Sequence, residues 1–163
     1  MARLTDLRVP IELLPIAWIT LQLAKSLLNI PGGALADRIG PRRVLAISWS
    51  VYAVAYFAFA RAPTWGWFWL TLPLYAIHYG LGEGAEKSLM ASVCTAEERG
   101  TAFGAQLAVH GIALLPANIV FGFLYKKNAP IAFAVEAGLA MLSVIALLLL
   151  TIEPRADEDA TSA

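Results

Sequence analysis

The stretch Gly33-Ala34-Leu35-Ala36-Asp37-Arg38-Ile39-Gly40-Pro41-Arg42-Arg43 sets a charged turn between two long apolar runs that carry almost no other charge. The charges at Asp37, Arg38, Arg42 and Arg43 are too costly to hold in hydrocarbon. The turn therefore belongs at a water-facing edge, and the flanking runs cross an apolar phase. Gly40 permits a tight reversal. Asp37 is placed to hold Arg38 or Arg42, or to accept hydrogen bonds from the N-terminus of a neighbouring helix.

The rest of the composition agrees. Of 163 residues, 59% are hydrophobic and 15% charged, and the mean hydropathy is +0.66. That is more apolar surface than one soluble core can hide, so the expected surroundings are a lipid bilayer. A formal net charge of zero leaves no basic face for nucleic acid, which is excluded as a partner. Cys94 is the single cysteine, which rules out an intrachain disulfide and a multi-cysteine metal centre, and nothing in the pattern asks for a cofactor. Residues 1–10 carry mixed charge ahead of an apolar run too long for a signal-peptide core, and they read as a mature segment.

A spanning helix needs roughly 20 mostly apolar residues. Five windows qualify, at residues 11–35, 44–60, 67–93, 101–124 and 130–152. The expected fold is therefore all-α, a polytopic membrane bundle of five transmembrane helices whose short links make sequence neighbours pack antiparallel. Thr95 and Glu98 have the spacing of a capping box and predict the start of the fourth helix. Asn128 and Pro130 predict the start of the fifth. Trp65, Trp67 and Trp69 read as an interfacial belt. Residues 153–163 form an acidic tail with the composition of a disordered segment. The basic residues divide evenly: Arg38, Arg42, Arg43, Arg99 and Arg155 on one face, and Arg3, Arg8, Arg61, Lys126 and Lys127 on the other. Only the tight cluster at Arg38, Arg42 and Arg43 favours its own side as cytoplasmic.

Gly33-x-Leu35-Ala36-Asp37-Arg38-x-Gly40-x-Arg42-Arg43 resembles the signature loop of major facilitator superfamily transporters, found between the second and third helices of each six-helix half. Pro41 stands where the family usually has a basic residue. A second segment, Glu98-Arg99-Gly100-Thr101-Ala102-Phe103-Gly104, is similar to the one joining the fourth and fifth helices of a half. The resemblance implies two six-helix halves with a small-molecule solute bound near the midplane. On that pattern the chain matches helices eight to twelve, a C-terminal half lacking its first helix. Residues 1–10 would be the remnant of an outer loop, and both motifs and the C-terminus would face the cytoplasm at the cell (inner) membrane. The implied function is secondary transport by alternating access, with Asp37 stabilising one state by bridging to the opposite half. Five helices provide one wall of such a carrier, so a missing N-terminal half or another copy of the chain is the implied partner. Two other classes compete. One is a noncatalytic membrane-assembly fragment. The other is an intramembrane enzyme, suggested by the Glu97-Glu98 pair but opposed by Ala102, which stands where a protease of that type carries arginine.

Polar residues inside the spans are candidates for the solute path. Lys25 lies about eleven residues from the turn, roughly 16 Å at helical rise, near the midplane. Gln22, Lys25 and Asn29 recur at spacings of three and four and form one stripe, which lines the path or joins helices. Glu83 and Lys87 have the spacing of an intrahelical ion pair. The alternative is that Glu83 pairs across helices with Lys25, making a site for a charged solute or a coupled proton. His78 and His110 titrate near neutral pH in isolation, although a lone histidine on an apolar helix is more often a packing residue. His78, Glu83, Glu86 and His110 lack the compact spacing of metal ligands. Gly80, Gly82 and Gly84 fit close helix contact, and their spacing is wrong for a dinucleotide fingerprint. Gly111 and Pro116 suggest a bend in the fourth helix. Glu136 is read as reaching toward the outer interface.

Overall fold

The computed structural model describes residues 12–62 and 66–150. The expected outer-loop remnant at 1–10, Trp65 and the acidic tail at 153–163 lie outside the described residues. Five helices follow one another: α1 Leu13–Ile39, α2 Pro41–Arg61, α3 Gly66–Val93, α4 Arg99–Lys127 and α5 Ala129–Leu149. By length and composition α1, α2, α4 and α5 are apolar enough to cross a membrane. α3 has the length, with 28 residues, but His78, Glu83, Glu86 and Lys87 lower its hydropathy. It is also the helix on which both α1 and α2 pack, so its polar groups meet other helices and need not face lipid.

The charged turn is tighter than the expected loop. α1 continues through Asp37 and Arg38 to Ile39, and α2 starts at Pro41, so only Gly40 stands outside a helix. The windows ending at 35 and starting at 44 were thus too short, because aspartate and arginine next to water do not oppose helix formation. Gly40 adopts φ 91°, a backbone state that a side chain would strain. Pro41 occupies the first turn of α2, where its fixed φ suits the helix and its missing N–H is no loss. This explains a proline where a basic residue was the expectation. The Gly40 N–H donates to the Ala36 carbonyl at 3.0 Å, and the Val44 N–H donates to the Gly40 carbonyl at 3.3 Å.

The expectation from short links is met only in part: α2 packs extensively on its sequence neighbour α3, but the other large interfaces join helices that are not consecutive. The large interfaces are α1 with α3, α2 with α3, and α2 with α5, whereas α1 meets α2 and α4 meets α5 only lightly. Glycine explains the α1–α3 crossing. A Cβ placed on Gly80 would fall on the Leu28 Cβ, and one on Gly32 would fall on the Gly80 carbonyl oxygen. Small residues at such a crossing let backbones approach closely, and that contact replaces the missing hydrophobic drive between helices in lipid. Ala36, Val44, Leu45, Ala85, Val144 and Leu147 form the main buried cluster beside the Gly40 corner, drawing on α1, α2, α3 and α5.

α4 has no buried residue. It is attached near its two ends. Gln106 Nε2 donates to Glu86 Oε1 of α3 at 2.5 Å, and the rings of Phe121 and Tyr125 lie 5.5 and 6.0 Å from that of Phe133 on α5. Pro116 lies inside one continuous helix. The α4 to α5 link follows the expectation: the Asn128 side chain caps α5, accepting from the Ile131 N–H at 3.1 Å. Asn128→Ala is expected to cost about 1 kcal/mol, read as a lower melting temperature in detergent. Asn128→Asp should retain the cap, and equal melting of all three proteins would dismiss it.

Candidate solute path and signature corner

The α1 to α3 crossing that glycine permits brings part of the polar stripe onto α3. Asn29 Nδ2 donates to Glu83 Oε2 at 3.3 Å, and Lys87 Nζ donates to Glu83 Oε1 at 3.0 Å. The intrahelical Glu83–Lys87 pair forms. The cross-helix pair of Glu83 with Lys25 does not, because Asn29 takes the second carboxylate oxygen. Lys25 instead holds its Nζ 3.7 Å from the centroid of the Tyr79 ring, where the π face attracts the cation. The Oδ1 of Asn29 is buried without a partner among the described residues, leaving an acceptor aimed into the seam. Gln22, one turn before Lys25, is exposed.

His78 is tied to α2. The Ser48 hydroxyl donates to the His78 carbonyl at 2.8 Å, and the ring Nδ1 lies 2.9 Å from Ser48 Oγ and 3.1 Å from the Ser48 carbonyl oxygen. A carbonyl only accepts, so this geometry assigns the proton to Nδ1 and leaves Nε2 as an acceptor. The packing role considered for this histidine is thus realised. His110 is exposed on α4 and does not join it. Among the described residues no three His, Cys, Asp or Glu side chains gather closely enough to hold a metal ion.

At the corner the arginines divide. Arg42 Nε and Nη2 donate to the Leu147 carbonyl at 3.1 and 2.7 Å, Nη2 also reaches the Leu148 carbonyl at 2.9 Å, and it contacts the Leu150 carbonyl as well. Asp37 therefore does not hold Arg42. The last carbonyls of a helix lack intrahelical donors and carry partial negative charge, and a planar guanidinium satisfies several at once. Gly33 is half-buried, while Asp37, Arg38 and Arg43 are exposed. In the second motif the Thr95 backbone N–H donates to Glu98 Oε2 at 3.2 Å, which is half of a capping box. α4 begins at Arg99, later than the expected start at Thr95, because residues 96–98 form a turn first. Gly100, next in the motif, has open space around it.

Three features escaped the sequence reading: the Arg42 cap on α5, Ser48 as the partner of His78, and an aromatic cluster. Tyr52 stacks on Tyr56 at 4.1 Å, and Tyr75 lies 6.2 Å from Tyr56. The four-residue recurrence of tyrosine at 52 and 56, and again at 75 and 79, was the available signal.

Glycine-packed apolar helices with a charged corner at one edge define a polytopic membrane protein. The sequence profile described as Major Facilitator Superfamily matches residues 7–163, and the chain belongs to that family. It is accordingly an integral, multi-pass membrane protein, and its family consists of transporters and not enzymes. An uncharacterized MFS-type transporter of Methanocaldococcus jannaschii is 32% identical over 137 residues, covering 83% of this chain and 34% of the relative. The chain thus spans about a third of the length of that relative.

Proposed function

We propose that the chain forms one wall of a secondary carrier that moves a small polar solute by alternating access, corresponding to helices eight to twelve of the family fold. The observation that supports this most directly is the seam of Lys25, Asn29, Tyr79 and Glu83, in which charged and amide groups of facing helices meet. Intramembrane ionisable groups are costly and concentrate where a water-filled path passes. In this reading α3 crosses the membrane at the centre of the bundle, Gln22 and His110 extend the path, and the 38–43 corner and C-terminus lie in the cytoplasm. The opposite wall comes from an N-terminal half or a second copy. Asp37 is exposed with no partner among the described residues, which suits a group that bridges to that wall in one state of the cycle.

A second reading, an assembly fragment without carriage of its own, draws on the absence of any buried residue in α4. Cysteine labelling separates the two. In a Cys94→Ser background, Gln22→Cys, Lys25→Cys and Asn29→Cys are expected to react with a charged, membrane-impermeant thiosulfonate at least about tenfold faster than Leu23→Cys, Leu27→Cys and Ile30→Cys, whose positions face lipid. Equal and slow labelling of both sets would leave no wet path and reject the carrier wall.

A further inference from the structure

Next to the seam, α2, α3 and α5 line an open cleft of about 290 Å³ whose lining includes Trp49, Tyr52, His78, Glu136 and Ser143. Glu136 lines this cleft from α5. Seven residues separate it from the first residue of α5, about 10 Å along the axis. It is half-buried, and among the described residues no hydrogen-bond donor or cation reaches it. The cations of the lining helices are engaged or distant. Arg42 caps α5, Arg61 lies over the Phe57 ring, Lys87 is bonded to Glu83, Arg43 is exposed at the corner, and α5 contributes none. On α1, Lys25 is held over Tyr79.

What surrounds the carboxylate is aromatic. Tyr52 and Trp49 line the cleft, the Tyr52 ring lies 4.7 Å from that of His78, and the Ser143 hydroxyl donates to the Leu139 carbonyl at 3.0 Å, which leaves its oxygen free to accept. A carboxylate without a counter-ion among the described residues, flanked by aromatic side chains and a hydroxyl acceptor, is complementary to a cation that is weakly hydrated. A divalent metal ion would require several oxygen ligands, and only one carboxylate lines the cleft. We propose that the cleft binds a small organic ammonium ion, with Glu136 as its counter-ion and the Trp49 and Tyr52 rings as its walls. The site adjoins the seam, with the His78 and Tyr79 rings 5.2 Å apart, but it uses a different carboxylate and does not depend on the carrier reading.

The test is equilibrium dialysis of labelled benzyltrimethylammonium against the full chain in lipid nanodiscs, with its uncharged carbon isostere, neopentylbenzene, as competitor. Saturable binding at one site per chain is expected, with little displacement by the isostere. Glu136→Gln should weaken binding by about tenfold or more, as expected for loss of a charged partner. Trp49→Leu should weaken it several-fold, with recovery in Trp49→Phe. Glu97→Gln, which removes the same charge from an exposed turn, should leave binding unchanged. The aromatic pair keeps the test decisive if Glu136→Gln does not fold. Absence of saturable binding, equal displacement by the isostere, or equal losses in Glu136→Gln and Glu97→Gln would overturn the proposal.

Discussion

Replacing Gly80 with alanine is expected to destabilise the bundle by about 1–3 kcal/mol, the range for forcing extra volume into a packed interface, and replacing it with leucine should separate α1 from α3. The added Cβ would coincide with the Leu28 Cβ and approach the Leu28 backbone, at 3.0 Å from its carbonyl carbon. A backbone cannot yield as a flexible side chain does, so the two helices must move apart. Separation removes more than van der Waals contact, because Lys25 with Tyr79 and Asn29 with Glu83 span the same crossing. Gly104 is the matched control. Nothing lies within 4 Å of a Cβ there, so Gly104→Ala should be neutral or stabilising through helix propensity alone. Reversible unfolding in mixed detergent micelles measures both. A Gly80→Ala protein as stable as the parent would show that the close crossing does not hold the bundle together.

That crossing also marks where sequence reasoning stops. The five helices were legible because length and apolarity set them, and Asn128 and Pro130 announced the start of α5 through local chemistry that any helix N-terminus obeys. The triplet Gly80, Gly82 and Gly84 could be read as a close-contact surface, but its partner could not, since spacing along one helix says nothing about which other helix fits against it. The same limit applied to charge. Arg42 and Asp37 are neighbours along the chain, which invited a local pair, yet the stronger claim on the guanidinium came from carbonyls more than a hundred residues away. Glu83 presented the opposite case: its local partner Lys87 was legible, and Asn29 rather than Lys25 completed it for reasons of side-chain reach that only the packed helices define. Glu136 was placed by counting residues in from the fifth window, but the register of α5 against α2 decides what it faces.

Arg42→Met is expected to cost about 1.5–3 kcal/mol, the range for hydrogen bonds made by a charged group, and to loosen the end of α5 selectively. Without the guanidinium, the carbonyls of Leu147, Leu148 and Leu150 lose a shared donor. The last helical turn, which keeps the Leu150 N–H bonded to the Ala146 carbonyl at 2.9 Å, should then fray. Amide exchange at residues 147–150 should quicken while exchange at the Asn128 end of the helix stays unchanged. Lysine at position 42 should rescue only in part, since an ammonium is a point charge and lacks the fork that reaches several carbonyls together. Arg38→Met and Arg43→Met provide the comparison, because both side chains are exposed. They should leave stability and exchange near the parent values, within about 0.5 kcal/mol. Equal losses at positions 42 and 43 would mean that the corner stabilises the fold through its total positive charge and not through a cap. The division matters for carriage. On the proposed carrier reading, Arg42 is committed to α5, and the groups left to meet an opposing wall are Asp37, Arg38 and Arg43.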